Sequence, residues 1–138
     1  MSRIAYQYVV LRCVPRVERE EFLNVGVVLH CEDAGYLACA GHVDDERLRA
    51  LDAGLDPELV RRALRGVEEV CRGEGRLDLA VGSRATAYGT RAAADTLGTR
   101  FGLLRAPRST VVQPGPVHGG LTADPAAELW RLLAAYVG

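Results

Sequence analysis

Phe22-Leu23-Asn24-Val25-Gly26-Val27-Val28-Leu29-His30-Cys31-Glu32-Asp33-Ala34-Gly35-Tyr36-Leu37-Ala38-Cys39-Ala40 reads as a β-hairpin, and this stretch decides the fold class. Phe22 to Cys31 is rich in β-branched and apolar residues, as a strand requires. With a period of two, Leu23, Val25, Val27, Leu29 and Cys31 form an apolar row on one face. Phe22, Asn24, Gly26, Val28 and His30 form a mixed row on the other. Glu32-Asp33-Ala34-Gly35 is the turn, with Gly35 free to take positive φ, and Tyr36 to Ala40 is the returning strand. Gly26 in mid-strand marks a bulge or a close approach, by the final helix or by a partner.

Upstream of the hairpin, Ile4 to Val14 is a further strand ended by Pro15, and Arg16 to Glu21 is a charged connection. Downstream the period changes. Asp44-Asp45-Glu46 places acids at a helix start and Gly54 fits its end. Asp56-Pro57 is an N-cap followed by proline, and Val60, Leu64, Val67 and Cys71 recur at helical spacing toward Gly73. Leu77, Leu79 and Val81 alternate as in a short strand, and Arg91 to Leu104 has helical character. Arg108 to Gln113 is a candidate edge strand stopped by Pro114. Asp124-Pro125 repeats the cap-plus-proline signal, and Leu129, Leu132, Leu133 and Tyr136 form the buried stripe of a last helix. The expected fold is therefore α+β in a single domain over residues 1–138. An antiparallel sheet (the N-terminal strand, the 22–40 hairpin and an edge strand over 108–113) is packed by helices that include a C-terminal one.

Composition excludes several classes of function. The chain has 138 residues, a net charge of -1 and 17 basic residues, all arginine. That balance gives no long-range attraction to nucleic acid or anionic membrane. Without lysine there is no Schiff-base or Walker-type phosphate chemistry. Cys13, Cys31, Cys39 and Cys71 lack C-x-x-C spacing and read as small apolar residues of a reducing cytoplasm. No apolar run is long enough to span a membrane, and no signal peptide opens the chain. Arg61, Arg62 and Arg65, with Arg72 and Arg76 beyond, are offset by Glu58, Glu68, Glu69 and Glu74 as a solvated, ion-paired face, so nucleic acid is not the expected partner. Asp44-Asp45-Glu46 is explained by the helix dipole, and His30 with His42 lacks a third ligand, so neither a metal nor a cofactor is expected.

Two blocks stand out. The first is Tyr8-Val9-Val10-Leu11-Arg12-Cys13-Val14-Pro15, followed by Glu20-Glu21-Phe22-Leu23-Asn24-Val25-Gly26-Val27-Val28-Leu29. The second is Arg108-Ser109-Thr110, then Gln113-Pro114-Gly115-Pro116-Val117-His118, then Asp124-Pro125. Together they resemble the DUF3037 family of small bacterial proteins without an assigned function. The family name implies no mechanism. What the resemblance implies is a partner, a HipA-like kinase-domain protein encoded nearby.

Ala106 to Leu121 holds the candidate site. It carries an arginine, hydroxyls, an amide and an imidazole in a segment stiffened by proline. Arg108 offers a fork for carboxylate or phosphate, and Ser109, Thr110 and Gln113 would fix the orientation of a ligand. The competing reading is that these groups satisfy the backbone of an irregular loop. His118 beside Gly119-Gly120 has no acid within a turn and reads as a surface histidine or a partner contact. Glu21 and Asn24 form a polar pair at the start of the second strand, expected to face the His118 loop. A triad of Ser109, His118 and Glu21 lacks the G-x-S-x-G elbow. Two readings follow: a non-enzymatic interaction module, or a small enzyme or ligand-binding domain with an anion site at Arg108, Ser109 and Thr110. The first places residues 108–118 on an open surface, the second in a cleft. An exposed edge strand would also invite self-pairing into a homo-oligomer.

Overall fold

In the computed structural model, residues 2–73, 95–108 and 110–138 are described. Strands β1 (Ile4–Cys13), β2 (Leu23–Cys31), β3 (Tyr36–Gly41), β4 (Val112–Pro114) and β5 (His118–Thr122) form one antiparallel sheet. The order is β3-β2-β1-β4, and β5 pairs with β1 on the same edge as β4. Helices α1 (Asp45–Leu51), α2 (Pro57–Cys71), α3 (Leu97–Leu104) and α4 (Pro125–Tyr136) complete the described elements. The fold is α+β, as expected, with the C-terminal helix in place.

The helices begin where short polar side chains can cap them. Asp44 accepts from the backbone N–H groups of Glu46 and Arg47. Asp56 accepts from Glu58 N–H and Asp124 from Ala127 N–H, each ahead of a proline in the first turn. The Val17–Arg19 connection is a single 3-10 turn closed by Glu20 at φ 54°. Expected elements at Leu77, Leu79 and Val81 lie outside the described residues, as does the 91–94 start expected for the helix ending at Leu104. Within them that helix runs from Leu97, capped by the Thr96 hydroxyl.

Both faces of the sheet are covered, and β1 alternates between them. Val9, Leu11 and Cys13 join Val25, Val28 and Leu37 under α1, α2 and α3, where Leu48, Val60, Leu64, Val67, Phe101 and Leu104 complete a core. Tyr6, Tyr8 and Val10 join Val27, Leu29, Cys31 and Ala40 under α4, against Leu129 and Leu132. The apolar row expected along the second strand is therefore split. Pairing jumps from Leu11–Gly26 to Arg12–Asn24, so Val25 is bulged out of register. The bulge sends Leu23 and Val25 to the opposite face from Val27, Leu29 and Cys31. Gly26 is required beside it: a Cβ there would lie 3.0 Å from Ala40 O and 3.3 Å from Leu64 Cδ2. The close neighbours are thus β3 and α2, not the last helix.

The edge strand also differs from expectation. It is shorter than 108–113, and the stiff loop carries two short strands instead of one. β4 pairs Val112–Pro114 with Leu11–Cys13, and β5 pairs His118–Thr122 with Ile4–Tyr8. Between them, Val9 and Val10 face three residues, Gly115 to Val117, which is a bulge. Gly115 N–H still reaches Val10 O at 2.8 Å. Gly120 has its own packing reason: a Cβ would meet the Tyr6 ring at 2.7–2.9 Å. Ring over glycine lets a strand form where β-propensity is poor.

Candidate functional site

Of the expected anion-site residues, the described Arg108 and Thr110 do not converge on a cleft. Arg108 turns inward, and its Nη2 donates to Leu103 O (2.8 Å) and Leu104 O (3.1 Å) at the end of α3. Burial alone lowers its pKa. This is a capping task, since the last carbonyls of a helix lack intrahelical donors. Thr110 Oγ1 donates to Val112 O, and Gln113 Nε2 donates to Thr110 O. Both follow the local, backbone-satisfying reading. Ser109 lies outside the described residues.

Glu21 does not face His118. It pairs with Arg19 at 2.8 Å in a cleft of about 230 Å³ lined by Pro15, Arg16, Leu51 and Asp52. Another cleft, about 310 Å³, lies over Gly41, His42 and Leu64. Its arginines are engaged: Arg61 pairs with Asp45, and Arg65 with Glu58. None of Arg108, Thr110, Gln113 or His118 lines either cleft. His30 packs on Phe101 at 5.2 Å and lies 3.1 Å from Glu32. Among the described residues, no three His, Cys, Asp or Glu side chains form a metal-sized group.

A different set does come together, along the margin between α4 and the β1/β5 edge. His118 stands opposite Tyr8 in the ladder, and their ring centroids are 5.3 Å apart. The Tyr8 and Tyr136 hydroxyls share a hydrogen bond at 2.9 Å. Tyr136 O accepts from Asn24 Nδ2. Tyr6 donates to Glu128 Oε2 at 2.6 Å, and Glu128 also holds Arg131. Burial first, then the Tyr136 hydroxyl, pushes the Tyr8 phenol up to about 12. Arg131 is the main cause that lowers the Glu128 pKa. Asn24 and Gln113 flank Arg12 as its cross-strand partners on either side, so they share a face. His118, Asn24 and Gln113 are thus brought onto one face of the sheet, while Glu21 and Arg108 are not.

The residues that local reading missed are Tyr6, Tyr8, Arg12, Phe22 and Trp130. Tyr6 and Tyr8 sit in a strand, where aromatics pass as core. Trp130 is 62% exposed on α4, among exposed Ala126, Ala127 and Ala134. The charged residues of that helix, Glu128 and Arg131, pair with each other. Its outward face is centred on one indole, and the exposed charge beside it, Arg131, is tied to Glu128.

A family model described as a protein of unknown function (DUF3037) matches residues 8–137. The chain belongs to the DUF3037 family. No curated protein and no solved structure matches it. In this DUF3037 chain, the two sequence blocks that carry the resemblance are neighbours in space. The first holds most of β1 and β2, and the second holds the end of β4 and opens β5, which pair along β1. No helix among the described residues is long and apolar enough to cross a membrane.

Proposed function

We propose that this DUF3037 protein is a non-enzymatic accessory module that binds a protein partner through the outward face of α4. The observation that carries this reading is the tryptophan-centred surface of that helix, where the exposed Arg131 is already tied to Glu128. A surface helix ordinarily turns charged and polar residues outward. Here the outward positions include Ala126, Ala127, Trp130 and Ala134, all exposed, with Arg131 as the charged neighbour. Tryptophan is the residue type most enriched among binding hot spots, and alanines around it let a partner approach closely. The polar groups of residues 108–118 support the same reading, because they cap α3, tie their own loop or lie on an open edge rather than in a cleft.

The partner to test first is the HipA-like kinase-domain protein that the family resemblance implies. Co-expression followed by size-exclusion chromatography with mass detection should give a stable complex with the wild-type chain. Trp130→Ala should abolish it, while urea unfolding of the variant alone stays within about 0.5 kcal/mol of wild type, as for surface substitutions generally. A complex that survives Trp130→Ala and Trp130→Glu would rule out the α4 face as the contact.

A further inference from the structure

We infer that Arg12 is a carboxylate-recognition residue, and that the acid it takes is an Asp or Glu side chain of the protein partner, which rests on the reading above. Arg12, Arg61, Arg100 and Arg108 are the half-buried arginines among the described residues. Arg61 is paired with Asp45, Arg100 donates to Cys71 O, and Arg108 donates to Leu103 O and Leu104 O. Among the described residues Arg12 has no hydrogen-bond or ion-pair partner, and its Nε is buried without one. A buried N–H donor left unpaired is costly, and such a group calls for an explanation.

The surroundings of Arg12 hold it rather than neutralise it. Its Cζ lies 4.2 Å from the centroid of the Phe22 ring, which is itself 45% exposed. A Cβ at Gly115 would lie 3.1 Å from Cζ, Nε and Nη2 alike. Equal distances to three atoms of one plane put the Gly115 backbone against the flat face of the guanidinium. A side chain there would have to push the guanidinium aside by a few tenths of an ångström, and the glycine sits at the bulge between β4 and β5. A guanidinium packed flat against a ring and a backbone keeps its edge, with Nη1 and Nη2, for hydrogen bonding. That edge matches a planar carboxylate by two parallel bonds. One cation flanked in register by the neutral amides Asn24 and Gln113 suits a monoanion better than a dianionic phosphate. Sequence reading passed over Arg12 because its neighbours come from two other stretches of the chain, around Phe22 and around Gln113.

The test has two arms. In the first, the protein alone is titrated with sodium acetate, inorganic phosphate and sodium chloride at matched ionic strength. The reporters are the Gly115 amide and the Asn24 and Gln113 side-chain amides, followed by NMR. Acetate should move them saturably, chloride should not, and phosphate should bind more weakly. Arg12→Lys should weaken acetate binding by about tenfold or more, and Phe22→Leu should weaken it less. No saturable shift, or phosphate binding as tightly as acetate, overturns the assignment. In the second arm, Arg12→Lys should weaken the complex with the kinase-domain protein by about tenfold while Trp130 is intact. Unchanged affinity would overturn the partner as the source of the acid. If the wild-type chain forms no complex, the function proposed above fails, and the acetate arm still decides what Arg12 binds.

Discussion

The two faces of this sheet share the same strands but differ in what they bury. Under α1, α2 and α3, the buried cluster is aliphatic apart from Phe101 and the thiols of Cys13 and Cys71. Under α4, the cluster contains Tyr6 and Tyr8, and its margin carries His118, Tyr136, Asn24 and Arg12. Three described helices close the first face, and one covers the middle of the second. Burial of apolar area is where stability comes from, so the first face should carry most of it. Hydroxyls and a guanidinium at the rim of the second add little net stability but supply recognition. The same thiols illustrate the contrast: burial pushes Cys13 up to about 11 and Cys71 up to about 12, leaving both unreactive at neutral pH.

The largest effect should come from Phe101→Ala. The ring is 2% exposed, packs on His30, and sits where α3 meets the sheet. Its removal should cost about 3–5 kcal/mol in urea unfolding. A loss below about 1 kcal/mol would mean that the first face is not the main store of stability.

Next comes Gly120→Ala, which tests how rigidly the second face is built. The added Cβ would meet the Tyr6 hydroxyl at 2.7 Å and Cε1 at 2.9 Å. Tyr6 is fastened to Glu128, so its ring cannot swing away freely. The expected loss is about 1–3 kcal/mol, the range for overpacking. Gly119→Ala is the control, because its Cβ would meet only Tyr6 O at an ordinary 3.4 Å. Equal losses for the two variants would show that ring packing over Gly120 is not the constraint.

How far the sequence could be read follows the same division. The acidic helix start at Asp44-Asp45-Glu46, the caps at Asp56 and Asp124 with the prolines after them and the 22–40 hairpin are short-range signals, and each is found in place. β5 was hidden because Gly119 and Gly120 have poor strand propensity, and its formation depends on Tyr6, more than a hundred residues away. The Val25 bulge was hidden because strict alternation already gave a plausible apolar row. Arg108 has the composition of a ligand site, yet its partners are the carbonyls at the end of the preceding helix. Arg12 is unremarkable in its own strand; only cross-strand pairing reveals its flanking amides. The margin as a whole needed the ladder before it could be recognised.

The smallest effect expected is that of Tyr8→Phe, and its pH dependence distinguishes a structural hydroxyl from a free one. At neutral pH the variant loses the bond to the Tyr136 hydroxyl, worth about 1 kcal/mol. The folded protein holds the Tyr8 phenol up to about 12, chiefly through burial, against an ordinary value of 10.0. A raised pKa means that the folded state keeps its proton while the unfolded chain gives it up. The stabilisation is therefore complete below pH 10.0 and is lost as the pH rises through about 12. The difference between wild type and Tyr8→Phe should accordingly shrink across that window, and phenolate absorbance of the folded wild type should show a late-titrating component that Tyr8→Phe removes. A stability difference that stays constant from pH 10.0 to about 12 would place the Tyr8 hydroxyl in water and remove it from the margin.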